Sequence, residues 1–130
     1  MSAHKVLIVD DNAMNVELMS FVLTDDVFIV ESAADAKEAL AQIDSFQPDL
    51  ILMDMHLPGM DGLQLTRFIK SNASLRHIVI VAFTASAMKG DETKMLDAGC
   101  DGYLSKPIDV DTIAATILTF LPGGAAGAAG

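Results

Sequence analysis

A single cysteine, Cys100, stands in the 130 residues of this chain. One thiol cannot close an internal disulfide, so the expected setting is a reducing, cytoplasmic compartment. No activating base lies near it in sequence, and its ordinary reading is a small buried residue rather than a reactive thiol. Basic residues are scarce: 8 Lys and Arg against 18 Asp and Glu give a formal charge of -10. Recognition of nucleic acid needs Lys and Arg clusters against phosphates, so direct binding of that kind is excluded. Long apolar runs are missing as well. Val6 to Val9, Leu50 to Met53 and Ile78 to Phe83 are of strand length, far short of the roughly 20 residues of a membrane span. Nor does the N-terminus have the separate apolar region and small-residue cleavage site of a signal peptide. There is also no glycine-rich loop after the first apolar run, where Asp10-Asp11 would repel a nucleotide or flavin phosphate rather than cradle it.

What is present is a chain with 52% hydrophobic residues, enough for a packed core, and a length that suits one domain. Lys5 to Val9 reads as a strand stopping at Asp10-Asp11. Asn12 then caps a helix whose apolar positions Met14, Leu18, Phe21 and Val22 recur at helical spacing. Val27 to Val30 reads as a second strand, and residues 34 to 46 as an amphipathic helix with Ala36, Ala39, Leu40, Ile43 and Phe46 on its apolar face, ended before Pro48. Leu50-Ile51-Leu52-Met53 runs without a break into Asp54, a pattern that suits a central parallel strand covered on both faces. Pro58-Gly59 marks a turn, and Asp61 is the expected cap of a helix carrying Leu65, Phe68 and Ile69. His77 to Phe83 forms the fourth strand. A polar fourth helix follows, in which only Met95, Leu96 and Ala98 look buried and which Gly99 stops. Gly102 to Ser105 is a short fifth strand, followed by Lys106-Pro107 and a last helix capped by Asp109, with Val110, Ile113, Ile117 and Leu121 on one face.

Strand and helix thus alternate as (βα)5, which predicts an α/β domain over residues 1–122: a five-stranded parallel sheet wound on both faces by right-handed crossovers. Residues 123–130 are only glycine and alanine, a composition expected of a flexible tail or linker.

Open sheets of this kind place their chemistry at the carboxyl ends of the strands. Asp10 and Asp11 follow the first strand and Asp54 ends the third. Three carboxylates in one crevice repel one another by several kcal/mol at low effective dielectric unless a cation neutralises them. A hard divalent ion such as Mg2+, with Mn2+ as a substitute, suits such oxygen ligands. Thr84 and Lys106, at two further strand ends, would face the same crevice with a hydroxyl and a positive charge. A carboxylate nucleophile, a metal, a lysine and a hydroxyl are the parts that phosphoryl transfer needs, because its catalysis is mainly positioning and charge neutralisation. Taken singly, an Asp-Asp pair after a strand is more often a helix cap, and Lys-Pro is uninformative. It is their occurrence at successive strand ends that carries the reading.

Val9-Asp10-Asp11-Asn12, the run Met53-Asp54-Met55-His56-Leu57-Pro58-Gly59-Met60-Asp61-Gly62, Thr84-Ala85 and Lys106-Pro107 together closely resemble the receiver domain of two-component response regulators, including chemotaxis-regulator-like stand-alone receivers. The likeness covers roughly residues 4 to 122. It implies a flavodoxin-like, doubly wound fold that takes a phosphoryl group from a sensor histidine kinase or a histidine phosphotransfer protein onto the residue matched by Asp54. Asp10 and Asp11 match the metal-binding acids, and the main-chain carbonyl of His56 a further metal ligand. Lys106 matches the residue that pairs with the phosphoryl group, and Thr84 and Tyr103 match the switch pair. His56 and Ser86 match positions where members differ and which influence hydrolysis of the aspartyl phosphate. The resemblance also implies that the phosphodonor docks over Met14, Asn15, Leu18, Pro107 and Ile108. The face made by the fourth helix, fifth strand and fifth helix would meet a downstream protein target, with the chain itself a monomer or weak dimer.

The rival class is a magnesium-dependent aspartyl-phosphate phosphohydrolase of the haloacid dehalogenase type, which also places a carboxylate nucleophile after an apolar strand. Such enzymes need a second aspartate two residues on, where this chain has His56, and a cap domain for which the chain has no room. The expectation is a signalling module that catalyses only its own phosphorylation and dephosphorylation, either standing alone or as part of a larger protein.

Overall fold

The computed structural model describes residues 4–23, 28–54, 62–84, 89–105 and 111–121. In chain order it contains β1 (His4–Val9), α1 (Ala13–Leu23), β2 (Phe28–Ala33), α2 (Ala36–Phe46), β3 (Leu50–Asp54), α3 (Gly62–Ser71), β4 (Val79–Thr84), α4 (Lys89–Ala98), β5 (Gly102–Ser105) and α5 (Ile113–Phe120). The five strands form one sheet in the order β2-β1-β3-β4-β5, and every pairing is parallel. This is the doubly wound α/β architecture expected from the alternation, and the flavodoxin-like fold that the resemblance implies. The winding changes direction between β1 and β3, the place where open sheets of this kind hold their ligands.

The sheet separates two apolar layers. Leu7, Val9, Ile51, Met53, Ile80 and Ala82 point to one side, where they meet Ala39 and Ile43 of α2, Leu65 and Ile69 of α3 and Met95 of α4. Val6, Ile8, Leu50, Leu52, Val81 and Phe83 point to the other, against Met19 and Leu23 of α1 and Ile113 and Ile117 of α5. Successive strand residues face opposite sides, and both sides are covered, so no position from Val6 to Val9 or Leu50 to Met53 tolerates a polar group. Each fully buried Leu, Ile, Val or Met side chain contributes about 1.5–3 kcal/mol.

Several elements depart from the sequence expectation. In α1 the fully buried pair is Met19 and Leu23, whereas Met14, Leu18 and Phe21 are exposed and Val22 is half-buried. The helix is apolar nearly all round (Ala-Met-Asn-Val-Glu-Leu-Met-Ser-Phe-Val-Leu), so periodicity alone could not select the face that meets the sheet. Phe68 in α3 and Leu96 in α4 are likewise exposed beside buried Ile69 and Met95. β2 runs on past Val30 to Ala33 because Glu31 and Ser32 pair with Leu7 and Ile8 of β1; an edge strand tolerates such polar residues. β4 begins at Val79, with His77 left in the turn before it. The N-cap of α5 is Thr112, while Asp109 and Val110, like Asp61 before α3, lie outside the described residues.

Other boundaries fall where local chemistry puts them. The Asp35 side chain accepts from the Glu38 amide to cap α2, and Gln47 closes that helix in the left-handed region at φ 53°. Gly99, at φ 109°, ends α4.

Candidate functional site

Strand register brings the acidic residues together. Val9 of β1 pairs with Met53 of β3, so Asp10 and Asp54, one residue further along each strand, come side by side at the carboxyl edge. Both are 2% exposed, while Asp11 is exposed. One carboxylate oxygen from each of Asp10, Asp11 and Asp54 can be chosen so that all lie within 4.8 Å of one another. At such separations and an effective dielectric near 20, each like-charged pair costs about 4 kcal/mol. An all-oxygen set of three carboxylates is the donor chemistry that hard divalent cations take, and the cluster can hold a metal ion. A cleft of about 500 Å³, lined by Asp10, Asp11, Glu17, Ser32 and Glu38 among others, opens beside it between the β1–α1 and β2–α2 turns.

The first turn of α1 holds Asp10 in place. Its backbone N–H continues the ladder by donating to the Ala33 carbonyl at 3.0 Å. Its Oδ1 accepts from the Asn12 amide at 2.8 Å, and its Oδ2 accepts from the Asn15 side-chain amide at 3.3 Å. Asn12 in turn caps the helix: its Oδ1 accepts from the backbone N–H groups of Met14 at 2.9 Å and Asn15 at 3.2 Å. This is the cap expected from sequence. The bond from Asn15 to Asp10 was not foreseen. Its signal is an asparagine one turn after the cap, which reads equally well as a surface residue.

Asp54 pairs with Phe83 of β4 and Thr84 with Ser105 of β5, so Thr84 ends the strand next to Asp54, as expected. The backbone of Thr84 is described and its side chain is not. Tyr103, paired with Ala82, is half-buried against the layer that contains Met95 of α4. His56 and Lys106, expected around the same crevice, and Pro107 and Ile108, expected to meet the phosphodonor, lie outside the described residues, as does Ser86. Met14 and Leu18 are 78% and 43% exposed on α1, with Phe21 at 85% continuing their stripe.

Cys100, the lone cysteine, lies away from this cluster. It is buried, and its thiol reaches Thr66 Oγ1 at 3.9 Å. Burial pushes that thiol up from its ordinary value, and the neighbouring Asp101 carboxylate acts in the same direction. A protonated, enclosed thiol is a packing group rather than a nucleophile.

Among the described residues, no helix is long and apolar enough to cross a membrane.

The chain is similar to known proteins in sequence and in fold. The chain is 40% identical over 116 residues to the polar-differentiation response regulator DivK of Brucella anthropi, covering 89% of this chain and 94% of that protein. Its fold matches the chemotaxis protein CheY4 of Vibrio cholerae with a TM-score of 0.86 at 28% identity, covering 92% of this chain and all 100% of that one. A response regulator from Chloroflexus aurantiacus, described as putative, matches with a TM-score of 0.85 at 29% identity, over 92% and 98% of the two chains. The model of the response regulator receiver domain matches residues 6–118. With these matches and a carboxylate cluster at the edge of a five-stranded parallel sheet, the chain belongs to the response regulator receiver domain family of two-component signalling.

Proposed function

We propose that this receiver accepts a phosphoryl group on Asp54 from the phosphohistidine of a sensor histidine kinase or a histidine phosphotransfer protein. The observation that carries this reading is the convergence of Asp10, Asp11 and Asp54, with Asp54 on the central strand of the sheet. An Asp54 carboxylate oxygen bonds to phosphorus as the phosphorus–nitrogen bond breaks, and the departing imidazole keeps the electron pair. Asp10, Asp11 and Asp54, with the main-chain carbonyl of His56 that the resemblance adds, would hold Mg2+, which would supply charge neutralisation among the phosphoryl and carboxylate oxygens. Lys106 pairs with the phosphoryl group.

Output follows from small contacts. Thr84 hydrogen-bonds a phosphoryl oxygen, and Tyr103 turns inward into the space that the threonine vacates. Each such contact is worth about 1–3 kcal/mol, so the switch is a population shift between conformers close in energy. The face formed by α4, β5 and α5 then meets a downstream protein target. Exposure of Met14 and Leu18 supports docking of the phosphodonor's helix along α1, a contact in which Asn15, Pro107 and Ile108 would share.

Intact-protein mass after incubation with magnesium and acetyl phosphate tests the acceptor. The expected result is one phosphate gained by the wild type and none by Asp54→Asn. If the wild type gains none and also fails to bind fluoroberyllate, the reading is wrong.

A further inference from the structure

Asp10 is 2% exposed, and water has almost no access to its carboxylate. A charged group so enclosed needs protein donors to keep its orientation, and the cap of α1 and its first turn supply two of them. The Asn12 amide donates to Oδ1 at 2.8 Å, and the Asn15 carboxamide nitrogen donates to Oδ2 at 3.3 Å. The first is a backbone group, which every residue except proline carries. The second depends on the side chain at position 15. An oxygen there would face a carboxylate oxygen with no proton between them, so only the donating end of the amide suits the site.

We propose that Asn15 is a positioning residue for the metal site, fixing the Asp10 carboxylate so that it stands ready beside Asp11 and Asp54. The inference rests on the reading of Asp10, Asp11 and Asp54 as the magnesium ligands, and it adds a residue outside that set. Capping directs the arrangement. Asn12 Oδ1 accepts the Asn15 backbone N–H at 3.2 Å, which sets the start of α1, and from there the Asn15 side chain reaches back to the strand end. Asn15 therefore acts from the second layer around the ion, where loss of an orienting hydrogen bond typically weakens metal binding about 10- to 100-fold.

Magnesium titration of the full chain, followed by the backbone amide NMR shifts of Asp11 and Asn12, tests this without any phosphoryl donor. Asn15→Leu, similar in size and without a donor, is expected to raise the magnesium dissociation constant about tenfold or more. Asn15→Gln, which keeps an amide, is expected to recover part of that loss. Melting in EDTA separates positioning from mere support of the helix, because a structural role would lower the melting temperature and leave the dissociation constant alone. An Asn15→Leu dissociation constant equal to that of the wild type overturns the inference while leaving the phosphoacceptor reading intact. A wild type whose amides do not respond to magnesium overturns both.

Discussion

Gly99 is the residue whose identity the backbone demands most directly. It sits at φ 109°, and a Cβ placed on it would come within 2.8 Å of Lys70 Cγ. Gly99→Ala therefore meets both a disfavoured backbone conformation and a side chain that is held in place, and is expected to cost about 1–3 kcal/mol, read as a lower urea midpoint with unchanged slope. Sequence showed this glycine as a helix stop but not its contact with Lys70, which lies 29 positions earlier and meets it only in the folded chain. The same division holds for the acids. The convergence of Asp10, Asp11 and Asp54 was legible because carboxylates recur with Thr84 and Lys106 at successive strand ends, although an Asp-Asp pair alone is more often a helix cap. The tie from Asn15 to Asp10 was not, because an asparagine in a first helical turn has many uses.

At the scale of elements, the end of α3 and the turn into β5 are joined by a single ammonium group. Lys70 Nζ donates to the carbonyls of Arg76 at 3.1 Å and Ile78 at 2.7 Å, and to Asp101 Oδ2 at 2.9 Å. The same Asp101 oxygen accepts from the Ile80 amide at 2.8 Å. The Lys70 side chain is 19% exposed and that of Asp101 41%, so solvent screens much of the charge attraction, and most of the value lies in satisfied carbonyls. Lys70→Met keeps the stem and removes the donors. Its expected cost is about 1–3 kcal/mol after that discount, with faster hydrogen exchange at the Ile80 and Asp101 amides as the specific readout. Element identity was largely legible from sequence, since alternation of apolar runs with helical spacing survives any detail of packing. Burial within elements was less so. Phe68, Leu96 and Phe21 are as apolar as their buried neighbours, and only the docking of each helix on the sheet separates them.

For the whole molecule, mutual repulsion among the three clustered carboxylates, in a chain of net charge -10, is expected to make stability rise when a divalent cation is added. Magnesium at about 100 times its dissociation constant should add about 2.7 kcal/mol by mass action. Asp11→Asn is expected to melt higher than the wild type in EDTA, because it removes one member of the repelling set, and to lose most of the gain on adding magnesium; paired melts followed by circular dichroism measure both. The amino-acid sequence by itself determined the order of elements, the parallel sheet and the residues at the strand ends, because each follows from local periodicity, caps and turns. Tertiary structure decided the rest. Pairing of Val9 with Met53 sets the distance between acids that are 44 positions apart in the chain, and the seating of α1 leaves Met14, Leu18 and Phe21 in solvent while Asn15 reaches Asp10. Those outcomes depend on which face of a nearly uniform apolar helix meets the sheet, a choice made by packing between distant segments.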